Sequence, residues 1–114
     1  MSFEIIATHD FMRQAKRLLK KYPSLKMELN TLQETLEVNP FLGIPLGGNT
    51  FKIRLAVASK GKGKSGGMRV ITYVIVQNEK IYLADIYDKS EQANVTDKEL
   101  EELIKEIKNQ TQKI

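Results

Sequence analysis

Lys52 and Arg54 stand two residues apart in FKIRLAV, Arg69 opens MRVITYVIV, and Tyr87 and Lys89 close IYLADIYDK. Side chains two or four apart share a face of an extended chain, so Lys52 goes with Arg54 and Arg69 with Tyr73. Lys60, Lys62 and Lys64 lie in SKGKGKSGG, the segment joining the first two of these runs. Antiparallel pairing would gather these cations and tyrosines into one neighbourhood. Guanidinium and ammonium groups bind phosphate oxygens, and aromatic rings stack on unpaired bases. The residue types therefore suit a phosphate-bearing polyanion, with single-stranded nucleic acid the best match.

The location of the charge supports this. The chain has 114 residues, 18 Lys+Arg and 14 Asp+Glu, for a mild net charge of +4. The 41 residues from Val38 to Asn78 hold six cations and no acid, whereas residues 79–114 hold six cations and nine acids. Like charges gathered in one region repel, which argues against a purely structural role. The plainer alternative is a solvated basic loop that keeps the protein soluble.

Other chemistry is set aside. With no Cys and one His, the sequence offers neither a disulfide framework nor a thiolate or polyhistidine metal site. His9, beside Asp10 at a helix start, reads as a surface residue. The stretch Ala58–Ser65 imitates a phosphate-binding loop, but Gly66-Gly67 and a strand follow it. A nucleotide P-loop needs a helix there, so an NTPase is not expected. No run approaches the roughly 20 apolar residues of a membrane span, and MSFEIIATHD lacks a signal-peptide core. A soluble cytoplasmic protein is the expectation.

The elements that position these residues follow from periodicity. SFEIIA is β-prone, and Thr8 caps a helix with Phe11, Ala15, Leu18, Leu19 and Tyr22 on one face. Pro23-Ser24 breaks the chain, and Leu25, Leu29, Leu32 and Leu36 define a second helix ended by Asn39-Pro40. Residues 40–50 read as a Pro/Gly/Asn connector. Three strands follow in an antiparallel meander: one around FKIRLAV, then Met68–Val76 and Ile81–Tyr87. Thr96-Asp97-Lys98-Glu99 has capping-box form and opens an amphipathic helix with Leu100, Leu103, Ile104 and Ile107. The fold class is α+β: an N-terminal strand and helical hairpin on a curved antiparallel sheet, with a C-terminal helix, in one domain over residues 1–114.

In this order, KIR, the Lys/Gly loop leading into GGMRVI, and IYDKSE resemble the RelE/ParE toxin superfamily of type II toxin-antitoxin modules. The long SKGKGKSGGMR segment is most similar to RelE-like toxins of the HigB type. The resemblance implies metal-independent, cofactor-free cleavage of mRNA on the ribosome, in which a 2′-OH attacks its own 3′ phosphate. It implies a cognate antitoxin as partner, besides ribosome and mRNA. Lys52 and Arg54 match the family's paired cations, with Lys52 as base, and Arg69 matches the arginine that steadies the transition-state phosphate. Lys60, Lys62, Lys64 and Tyr73 would contact RNA.

The end of the chain departs from the RelE pattern. Ser90 stands at an arginine position and Thr96 near a tyrosine position, so Tyr87 or Lys89 is the expected general acid. Two other readings carry their own marks. A ParE-like gyrase poison would produce gyrase-cleavage complexes with uncut mRNA, and a non-catalytic relative would bind RNA or antitoxin without cutting.

Overall fold

The computed structural model describes residues 3–61 and 66–111. Strand β1 (Glu4–Ala7) leads into helices α1 (His9–Lys21) and α2 (Leu25–Val38). Strands β2 (Ile44–Gly47), β3 (Thr50–Leu55), β4 (Met68–Ile75) and β5 (Lys80–Asp88) follow, with a short 3-10 turn at Ala58–Lys60 between β3 and β4. Helix α3 (Asp97–Thr111) is the last of these elements. The expected α+β architecture is present.

The five strands form one sheet in the order β1-β5-β4-β3-β2. β1 runs parallel to β5, and the other neighbours are antiparallel. The meander β3-β4-β5 is the predicted one. The β-prone start becomes an edge strand on β5, a pairing across more than 70 residues that no local pattern announces.

The two helices cover one face of this sheet. Thr8 caps α1 by accepting the Phe11 N–H at 3.2 Å, and its hydroxyl donates to the Leu83 carbonyl at 2.9 Å, which fixes the helix start to β5. Phe11, Ala15 and Leu18 from α1 and Leu25, Leu32 and Leu36 from α2 are buried against Ile53, Val70, Ile81 and Ile86. A fully buried leucine contributes about 2 kcal/mol by removing its apolar surface from water. The stripes read from the sequence are thus the core, except that Leu19 lies toward solvent.

Helix α3 covers part of the other face. Its capping box closes as expected: the Thr96 N–H donates to Glu99 Oε1 and the Glu99 N–H to Thr96 Oγ1, both at 3.1 Å. Ile107 and, more loosely, Leu100 and Leu103 pack with Ile71, Tyr82, Ala84, Tyr87 and Val95.

Two features depart from the sequence reading. Residues 40–50 are not simply a connector, because Ile44–Gly47 pairs with Thr50–Lys52. The hairpin turns on Gly48 (φ 59°) and Asn49 (φ 63°), two left-handed residues whose twist suits a tight β-turn. A bulge also interrupts β4-β5: Asp85 opposes Ile71 while Leu83 opposes Thr72, leaving Ala84 as the extra residue. It resets the alternation, so that Leu83 and Ile86 both join the helical-hairpin core and Tyr87 joins the α3 side.

Candidate active site

Strand register brings three of the expected residues into one row. Arg54 of β3 stands opposite Arg69 of β4, and Arg69 stands opposite Tyr87 of β5. Directly opposed residues have Cα atoms about 5 Å apart. One step along the same face, Lys52 opposes Ile71, which opposes Asp85. This is the face that α3 partly covers. Like charges directly opposite each other are unfavourable in a sheet, and here Arg54 and Arg69 occupy such a pair.

The surroundings of the row differ from strand to strand. Arg54 is exposed. Arg69 is only 4% exposed, and its guanidinium donates to the Met68 carbonyl at 3.2 Å. Lys52 is half-buried, its Nζ donating to Asn94 Oδ1 at 3.4 Å. Tyr87 is 4% exposed, and its hydroxyl has no hydrogen-bond partner among the described residues. The Val95 N–H, near this oxygen, is taken by Asn94 Oδ1 at 3.0 Å. Burial pushes the Tyr87 phenol above its ordinary pKa, with the Arg69 charge the strongest opposing influence. The row therefore joins fixed positive charge to a phenol that stays protonated at neutral pH.

A family model described as the RelE toxin of the RelE / RelB toxin-antitoxin system matches residues 4–114. The chain belongs to the RelE toxin family. A solved structure of E. coli toxin RelE, a double mutant in the free state, has the same fold: TM-score 0.61 at 15% identity, covering 94% of this chain and 99% of that one.

The other sequence-derived positions of this RelE-family chain are spread more widely. Lys89 follows β5, its Nζ donating to the Ala93 carbonyl at 3.4 Å. Tyr73 shares the face of Arg69 but lies four residues along β4, roughly 13 Å away, opposite Thr50 and Tyr82. Lys60 is not on the open cationic surface where the Lys/Gly pattern placed it. Its side chain is 5% exposed and forms an ion pair with the fully buried Asp88 on the helical-hairpin side. The physical reason is a buried carboxylate that needs a cation. Lys62 and Lys64 lie outside the described residues. His9 is an exposed residue at the start of α1.

Asp85 is legible in the sequence as an acid near the end of the last strand, but the acids that α1 and α3 bring beside it are not. A cleft of about 370 Å³ between α1, β5 and α3 is lined by Asp10, Asp85, Glu99, Glu102 and Glu106 as well as Arg13, Arg17 and Tyr87. Burial pushes the Asp85 carboxyl up to about 6, with Asp10 and Glu99 adding to the rise against the Ile86 backbone hydrogen bond and Arg13. A carboxyl raised in the folded state is an ionised burden above that value, and the burden vanishes once both states are protonated below about pH 4. Asp85→Asn is therefore expected to stabilise the protein at pH 7 by about 1 kcal/mol, after allowance for solvent screening. The gain should fade between pH 6 and pH 4, as measured by urea unfolding at several pH values.

Proposed function

We propose that this RelE-family chain is the toxin of a type II toxin-antitoxin pair and cleaves ribosome-bound mRNA without a metal. The observation that carries the reading is the Arg54–Arg69–Tyr87 row with Lys52 one pair along the same face. In the reaction, the 2′-oxygen bonds to the adjacent phosphorus and the P–O5′ bond breaks, leaving a 2′,3′-cyclic phosphate and a free 5′-OH. Lys52, as the neutral amine, takes the 2′-OH proton and becomes the ammonium. Arg54 and Arg69 hold the non-bridging oxygens as negative charge builds on the phosphorane. Tyr87 returns a proton to the leaving 5′-oxygen, with Lys89 beside the same strand end as the alternative donor.

The burial of Tyr87 adds a condition: Val95 and the start of α3, which pack with it, must move aside for a phosphate to reach its hydroxyl. On this reading cleavage takes place on the ribosome, and the mRNA strand is the substrate. A cognate antitoxin is the partner, supported by the family's description as one half of such a system. No helix among the described residues is long and apolar enough to cross a membrane. The HigB-type placement within the family rests on the Lys/Gly-rich segment.

The test is incubation of the purified chain with programmed ribosomes, with chelator present. Site-specific cutting of the bound mRNA, with 2′,3′-cyclic phosphate at the new 3′ end, is the expected result. Intact mRNA together with trapped gyrase-DNA complexes in a parallel gyrase assay would instead establish the ParE-like reading.

A further inference from the structure

We infer that the buried Lys60–Asp88 ion pair is a positioning device for the Arg54–Arg69–Tyr87 row; its catalytic consequence rests on the nuclease reading above. Asp88 is 0% exposed, yet all its polar capacity is engaged. Oδ1 accepts from Lys60 Nζ, from the Ser90 N–H at 2.9 Å and from Ser90 Oγ at 2.7 Å, and Oδ2 accepts from Tyr22 Oη at 3.0 Å. Lys60 Nζ also lies 5.2 Å from the centre of the Tyr22 ring, a cation–π contact. Burial would raise the Asp88 carboxyl, but the hydrogen bonds from Lys60, Ser90 and Tyr22 outweigh it and keep the group ionised.

The position of the pair gives it a role beyond neutralising itself. Asp88 opposes Met68, one register step from the Arg69–Tyr87 pair. Side chains alternate along a strand, so holding Asp88 on the helical-hairpin side directs Tyr87 and Lys89 to the other face, and a one-residue slip would exchange them. Lys60 itself is anchored through its neighbours: the Ala58 N–H donates to Glu28 Oε2 at 2.7 Å and the Ser59 N–H to Ser24 Oγ at 2.9 Å. On the far side, the Lys89 N–H donates to the Gly67 carbonyl at 3.1 Å, where the chain enters β4. The pair thus ties the segment after β3 and the end of β5 to the α1–α2 junction, and the Lys89–Gly67 backbone bond carries this on to the entry of β4.

Two apolar side chains of similar volume would serve stability at least as well as a buried ion pair, since desolvating both charges is costly. What they would not supply is a directional link that fixes which way the strand end faces. Lys60 and Asp88 are on this account positioning residues, acting through Tyr87 and Lys89 without touching substrate.

The decisive variant is Lys60→Met combined with Asp88→Asn, which removes both charges and keeps the volumes. Each single change strands a buried charge or carboxylate and should lower Tm, whereas the double variant should recover most of that loss. On programmed ribosomes the double variant is expected to keep KM within about twofold and lose about tenfold or more in kcat, because the reacting groups are misaligned rather than absent. Recovery of kcat along with Tm would show a purely structural pair and overturn the inference. Amide exchange at Tyr87 and Lys89 reads the device without reference to cleavage: the inference expects about tenfold faster exchange in the double variant. Unchanged protection there overturns it, even if the wild-type chain proves not to be a nuclease.

Discussion

Replacing Arg69 with Gln is expected to slow cleavage of ribosome-bound mRNA by about 10²- to 10³-fold while leaving a folded protein. Arg69 is the middle member of the row, opposite Arg54 on one side and Tyr87 on the other. Its guanidinium is nearly excluded from water, where a fixed charge stabilises a developing phosphorane far more than the same charge would in bulk solvent. Gln keeps a polar stem of similar reach and loses the charge and the fork. The protein should stay folded, because relief of repulsion between two directly opposed cations offsets part of what is lost in packing and in the guanidinium's contacts, that to the Met68 carbonyl among them. Single-turnover cleavage and thermal unfolding of the same preparation check both halves. A collapse of Tm in step with activity would mean that Arg69 serves the fold.

Tyr87→Phe should separate stability from activity in the opposite sense. The Tyr87 hydroxyl is buried with no partner among the described residues, a condition that costs about 1 to 3 kcal/mol. Removing it should raise stability by about 1 kcal/mol, a few degrees in Tm for a chain of this size. If the phenol protonates the leaving 5′-oxygen, the same change should lower cleavage by about 10²-fold. A buried hydroxyl that costs stability and is needed for turnover is a group kept for its chemistry. Greater stability with undiminished cleavage would instead assign the proton to Lys89, two residues on and tethered by the Ala93 carbonyl.

What the sequence made legible was local. The Thr8 cap, the two apolar helix stripes, the Thr96–Glu99 capping box and the alternation of FKIRLAV each depend on residues within a few positions of one another, and each appears in the fold. Alternation also placed Lys52 with Arg54. What was not legible depends on distant partners. The parallel pairing of β1 to β5 has no local signature, and the bulge at Ala84 depends on how β5 meets β4. β2 is four residues containing a Pro and a Gly, compatible with an edge strand only once its partner is known. Lys60 is the clearest case: within SKGKGKSGG it is indistinguishable from Lys62 and Lys64, and only Asp88, 28 residues on, makes it an interior residue. Asp88 was recognisable as an acid at the end of a strand, but its four hydrogen bonds come from three separate parts of the chain.

Cutting of mRNA on the ribosome by the Arg54–Arg69–Tyr87 row is the proposed activity. It is tested most directly by mapping mRNA 5′ ends across translating cells shortly after induction, in parallel for wild type and Arg69→Gln. New 5′-OH ends within codons of translated messages are expected for the wild type and none above background for Arg69→Gln at equal protein level. Growth arrest by the wild type with no new ends, or the same ends from both proteins, would contradict it.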